Sequence, residues 1–108
     1  MTRYLITQKF SIDKGKEFAQ IYLSIFKDFP SYVKLFGNSP YITTTEDEVN
    51  IYTLIEIPEE ITGKSLKVIT EFFNKYNKIE GHKWNIATLI KRREALKWVG
   101  LSLDDLNK

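Results

Sequence analysis

The sequence predicts a single α+β domain in which an antiparallel sheet carries two helices on one face, and three observations predict it. The hydrophobic period runs two, then about 3.6, then two twice over, then about 3.6, then two, which is the signature of β-α-β-β-α-β. Residues 3–10, 33–44, 49–57 and 83–90 read as strands, and 15–29 and 64–77 read as helices. These six elements follow one another closely from residue 3 to residue 90 of the 108, so residues 1–108 form one domain, with a core of 3–90 and a docking segment of 91–108. The composition agrees: 43% hydrophobic and 28% charged residues suit one modest core inside a charged surface.

Each element follows from its local pattern. In the first strand Tyr4, Ile6, Gln8 and Phe10 alternate with Leu5, Thr7 and Lys9. Ser11 to Gly15 supplies turn residues, with Asp13 favouring a helix start. Phe18, Ile21, Tyr22, Ile25, Phe26 and Phe29 then recur at intervals of three and four, one face of a helix that Pro30 ends. The strand over 33–44 contains Gly37-Asn38-Ser39-Pro40, which argues for an edge position with a bulge or break. Glu46-Asp47-Glu48 makes a hairpin loop longer than two residues, since the favoured Asn-Gly is absent. Val49, Ile51, Thr53, Ile55 and Ile57 face one side of the clearest strand, which Pro58 closes. In the second helix Thr62 is the expected N-cap, and Leu66, Ile69, Phe73 and Tyr76 form the buried stripe, widened by Val68 and Phe72. Gly81 opens the last strand, where Trp84, Ile86, Thr88 and Ile90 share a face. A short helix over 92–99 ends at Gly100, with Leu96, Trp98, Val99 and Leu101 available to dock.

Several classes of chemistry are excluded. The chain has no cysteine, so disulfides, thiolate metal sites and cysteine nucleophiles are absent. The net charge is +2, with basic and acidic residues interspersed, which gives no sign of a nucleic-acid or membrane partner. No stretch approaches the ~18 apolar residues of a membrane span. The opening Met1-Thr2-Arg3-Tyr4-Leu5-Ile6 passes into Thr7-Gln8-Lys9 without a secretory apolar core, so a cytoplasmic location is expected. No phosphate loop, His-Glu metal motif or nucleophile elbow occurs, and no cofactor or metal is expected.

The two sheet faces are unequal. The isoleucine-rich face packs against the helices, and the other carries Leu5, Thr7, Tyr52, Leu54, Ala87 and Leu89. Left wet, that face would expose an apolar patch of the kind that marks an interaction site. A homodimer burying Leu5, Tyr52, Leu54 and Leu89 is therefore expected, two-fold association being the commonest closed arrangement. Here the chain resembles the dimeric α/β-barrel superfamily of ferredoxin-like proteins, which includes antibiotic-biosynthesis-monooxygenase and muconolactone-isomerase-like families. The resemblance spans 3–90 and lies in element order, lengths and sheet amphipathicity. The chain is also similar to small archaeal proteins with Lys9-Phe10 near strand one and a final Ala95-Leu96-Lys97-Trp98-Val99-Gly100-Leu101. The resemblance implies a ferredoxin-like sheet, in spatial order 4-1-3-2 of its four strands, that pairs into a dimeric barrel. Oxygenases of that group tend to carry an asparagine on strand one, where this chain has Leu5-Ile6-Thr7-Gln8. Their haem-degrading relatives use a histidine on the second helix, and 64–77 contains none.

Four residues mark a candidate pocket between the first helix and the sheet: Tyr22, Phe26, Trp84 and His82. Tyr22, Phe26, Phe29 and Tyr32 form an aromatic run which, with Tyr52 and Trp84, suits stacking of a planar apolar ligand. The plainer and preferred reading is aromatic core filling. His82, the only histidine, reads either as a general base at a pocket mouth or, preferably, as a solvated strand-start residue. Lys91-Arg92-Arg93 reads as a solvated helix start and Glu46-Asp47-Glu48 as a soluble turn. Three functions follow: a dimeric binder of a small apolar or aromatic molecule, an oxygenase- or isomerase-like enzyme on aromatic substrates, or a structural or regulatory dimerisation module.

Overall fold

The computed structural model describes residues 1–100; Leu101, expected to dock with the last helix, lies outside the described residues. In chain order the elements are β1 (Thr2–Ser11), α1 (Gly15–Ile25), β2 (Lys34–Leu35), β3 (Tyr41–Thr44), β4 (Glu48–Ile57), α2 (Thr62–Asn74), β5 (Lys83–Leu89) and α3 (Arg92–Trp98). The strands form one open antiparallel sheet. β1 pairs with β4 along its whole length, from Thr2–Ile57 to Ser11–Glu48, and with β5 from Arg3–Leu89 to Lys9–Lys83. β2 and β3 both lie on the far edge of β4.

Period-two alternation decides which face is dry. Tyr4, Ile6, Gln8 and Phe10 are buried on β1, and Val49, Ile51, Thr53, Ile55 and Ile57 on β4, while their neighbours are half-buried or exposed. Helix α1 adds Phe18, Ile21 and Ile25 to this face, and α2 adds Ile69, Phe72 and Phe73. Ile6, Ile55, Ile57 and Ile69 are fully enclosed, each side chain contributing ~1.5–3 kcal/mol of transfer free energy. Helix α1 buries no residue completely, whereas α2 buries four. The lighter packing of α1 leaves room beneath it.

Three expectations need correction. The strand expected over 33–44 is split: β2 lies opposite Ile55–Glu56 and β3 opposite Val49–Tyr52. Residues 36–40 therefore bulge where the partner needs only positions 53 and 54. Gly37 and Asn38 both adopt positive φ there, at 65° and 59°. The side chain of Ser39 repairs the gap. Its Oγ accepts from the Leu54 N–H and donates to the Leu54 carbonyl, each at 3.0 Å; the carbonyl also accepts from the Phe36 N–H at 3.1 Å, so it is the N–H that Ser39 alone keeps from being orphaned. Thr62 is not an N-cap. A 3-10 turn over Glu59–Ile61 starts the helix earlier, and the Thr62 hydroxyl donates to the Pro58 carbonyl at 3.2 Å. Finally, Trp98 and Val99 do not dock; they are 75% and 70% exposed, and only Leu96 is half-buried. Leu96 and Trp98 stand two residues apart, on different sides of a seven-residue helix, and cannot face the sheet together.

The break before Pro30 follows expectation more closely. α1 gives way to a 3-10 turn at Phe26–Asp28, and Phe29 is extended with ψ of 128°, as the residue before a proline should be.

Candidate functional site

A cavity of about 520 Å³ lies between α1 and the inward face of the sheet. Gln8, Phe10, Val49, Ile51 and Thr53 form its floor, and Phe18, Ala19 and Tyr22 from α1, with Phe26 from the 3-10 turn that follows it, form one wall. Phe72, Phe73 and Tyr76 close the end towards α2. Leu35, Pro40, Ile42 and Thr44 stand at the rim, so the broken edge of the sheet borders the opening. The gap exists because residues 36–40 leave the sheet plane between β2 and β3, and because α1 rests on the sheet through only part of its face.

The lining is aromatic and aliphatic, with the Gln8 amide and the hydroxyls of Thr44, Thr53, Tyr22 and Tyr76 as its polar groups. No carboxylate, ammonium or guanidinium belongs to it. Phe10 and Phe18 stack at 4.6 Å between ring centres, and Phe18 and Tyr76 at 4.7 Å, giving the inner wall parallel aromatic faces. Tyr22 and Phe26 meet at 5.5 Å near the outside. Burial, with a smaller contribution from Tyr22, pushes the Tyr76 phenol well above its ordinary range, so it stays a neutral donor and acceptor.

The structure brings two of the four expected site residues to the cavity. Tyr22 and Phe26 line it; Trp84 and His82 do not. His82 is also not the solvated residue its position suggested: it is 8% exposed. Gly81 has φ of 82°, a left-handed conformation that glycine adopts without strain, and this turn sets the imidazole against Tyr76 at 5.5 Å. Burial lowers the His82 pKa below 6.5, so the ring is neutral at physiological pH.

His82 reaches the cavity through a neighbour. Its Nε2 lies 3.2 Å from Gln8 Nε2, and its Nδ1 lies 3.3 Å from Asn77 Oδ1. Asn77 Nδ2 donates to Asn74 Oδ1 at 3.2 Å, and the Trp84 indole N–H donates to the same oxygen at 2.9 Å. The C-terminal turns of α2, the start of β5 and the middle of β1 are thus joined through side chains. This chain of amides was invisible to pattern reading, which places Asn74 in the second helix, Asn77 where that helix passes into a polar turn, and Trp84 on the last strand. One signal did point to it: Gln8 occupies an inward position between Ile6 and Phe10, where a polar side chain requires a buried partner.

On the opposite sheet face Leu5, Tyr52 and Leu54 are half-buried, and Leu89 is 37% exposed. Arg3 bonds Glu56 at 2.8 Å and Lys9 pairs with Glu48 at 3.2 Å, while the Arg3 guanidinium also covers the Phe36 ring at 4.8 Å. Among the described residues no cluster of three metal-ligating side chains occurs, and no helix is long and apolar enough to cross a membrane.

No family model matches the chain, and no curated protein matches it. Among solved structures it is similar to a de novo designed protein, Foldit4, at TM-score 0.56 and 16% identity, covering 84% of this chain and 98% of that one. At that identity the likeness concerns fold alone. A tripeptidase from Staphylococcus aureus subsp. aureus mu50 aligns at TM-score 0.45 and 15% identity, over 94% of this chain and 36% of its own.

Proposed function

We propose that this protein binds a small, planar, apolar or aromatic molecule in the cavity beneath α1. The observation that carries the reading is a space of about 520 Å³ with an apolar, aromatic lining and no charged group. An open cleft of that size with an apolar lining holds water against hydrocarbon, and an apolar guest gains free energy by displacing it. Its volume falls within the usual range for small-molecule pockets, and its few polar groups would orient a guest. The oxygenase- or isomerase-like alternative would need a proton-handling pair, and the lining offers neutral hydroxyls and an amide instead.

The reading includes an assembly. We take the domain as ferredoxin-like and dimeric, in the manner of an α/β barrel, with Leu5, Tyr52, Leu54 and Leu89 against their copies. The strand order and the packing of α1 and α2 on one sheet face support the first part. The second is supported by a half-covered apolar face whose Arg3–Glu56 and Lys9–Glu48 pairs are already neutralised within the chain, so a second copy meets little charge repulsion.

The binding reading is tested by titrating N-phenyl-1-naphthylamine and following its fluorescence, with Ala19→Trp as the comparison. The indole adds bulk to the lining, and affinity should fall by at least about tenfold, or 1.4 kcal/mol. Equal affinity of wild type and variant would mean that the probe binds elsewhere.

A further inference from the structure

The amide chain behind the cavity has a direction, and one residue sets it. An indole nitrogen only donates, so Trp84 obliges Asn74 to offer its carbonyl oxygen. Asn77 donates to that same oxygen with its amide nitrogen, which leaves its own oxygen facing His82 Nδ1. An oxygen can only accept, so the imidazole proton sits on Nδ1. A neutral ring then has a bare Nε2, and Gln8 must meet it with its NH2 group. That bond is the one side-chain hydrogen bond of Gln8 among the described residues, and Gln8 is part of the cavity floor.

We infer that Gln8 offers its carbonyl oxygen to the cavity as an acceptor held in place by Trp84, so the site takes uncharged planar molecules bearing a hydroxyl or N–H donor. This rests on the binding reading above and sharpens it to a ligand class. The other polar groups do not blur the preference. The hydroxyls of Thr53, Tyr22 and Tyr76 rotate to donate or accept as the guest requires, whereas the Gln8 amide cannot turn without breaking its bond to His82. An acceptor-only guest placed at Gln8 meets oxygen with oxygen. A carboxylate has the further cost of burial with no cation on the lining. Trp84 touches no guest and acts as a positioning residue.

The experiment compares three naphthalenes of similar shape at pH 7.5 by calorimetry: 2-naphthol, 2-methoxynaphthalene and 2-naphthoate. Naphthol should bind about tenfold more tightly than the methyl ether, the worth of one buried hydrogen bond against an unpaired acceptor, and naphthoate should bind least. Trp84→Phe removes the donor-only anchor and should bring the naphthol-to-ether ratio close to one, with the ether's affinity maintained. Asn74→Asp keeps an acceptor for both the indole and Asn77 and should preserve the wild-type ratio. Circular dichroism of each variant checks that the fold is retained. If none of the three compounds binds, the binding reading itself falls. If they bind but naphthol has no advantage, or naphthoate wins, binding stands and the fixed acceptor is overturned. A ratio unchanged in Trp84→Phe would remove Trp84 as the anchor and leave Gln8 as acceptor on other grounds, which Gln8→Leu tests directly by abolishing the ratio.

Discussion

His82 is held neutral by its surroundings. Its ring is stacked on Tyr76, largely buried and supplied with one donor and one acceptor. Protonating Nε2 would set two donors against each other at Gln8. The folded pKa is therefore below the unfolded value of 6.5, and the sign of the linkage follows. Below that value the unfolded chain binds a proton that the folded chain resists, so stability is complete above about pH 7 and declines as pH falls through 6.5 towards the lowered folded value. Urea unfolding at pH 7.5 and 5.5 should show this loss, and His82→Gln should flatten it over the same interval. An equal slope in the variant would assign the effect to other groups. Little of this was legible beforehand. A lone histidine after Glu80-Gly81 has the local pattern of a wet turn, and only the positive φ of Gly81 delivers it to the core.

Elements were more legible than their ends, because side-chain period registers burial while boundaries depend on turn chemistry. β1 and β4 alternate cleanly and were readable to within a residue or so; the helix stripes were readable in part, with Ile69, Phe73 and Tyr76 buried but Val68, Tyr22 and Phe26 exposed. The ends of the helices convert to 3-10 turns at Phe26–Asp28 and Lys75–Lys78, a change that apolar spacing does not record. The interrupted edge was readable as an interruption, from Gly37 and Pro40, but its repair was not. One hydroxyl stands in for a stretch of backbone ladder at Leu54. Ser39→Ala should accordingly cost about 1–3 kcal/mol, since the partly buried Leu54 N–H loses its partner while the carbonyl keeps the Phe36 N–H. Chemical denaturation measures this. Ser39→Thr, which retains the hydroxyl, should recover part of the loss.

For the whole molecule, the cavity and the face proposed to pair lie on opposite sides of one sheet. The division of the sheet into two faces was readable, because each strand contributes alternate residues to each. Pattern reading placed Tyr22 and Phe26 at the cavity and missed that Trp84 and His82 stand behind it, since the depth of a side chain in a layered core is not encoded in period. The assembly is checked with Leu54→Lys. If two copies meet through this face, sedimentation at tens of micromolar should show a dimer for wild type and a monomer for the variant, because an unpaired ammonium would be buried between the subunits. A wild-type monomer at that concentration would remove the pairing.

The broken edge also bears on how the chain behaves in a crowded solution. Tyr41 and Ile42 are 50% and 63% exposed on the outermost strand, the kind of sequence that invites a stranger's strand to add alongside. β3 has only four residues and β2 only two, and the excursion between them lets no incoming strand run in register along both. The same excursion that borders the cavity thus shields this one edge of the sheet against strand addition, while β5 forms the opposite edge.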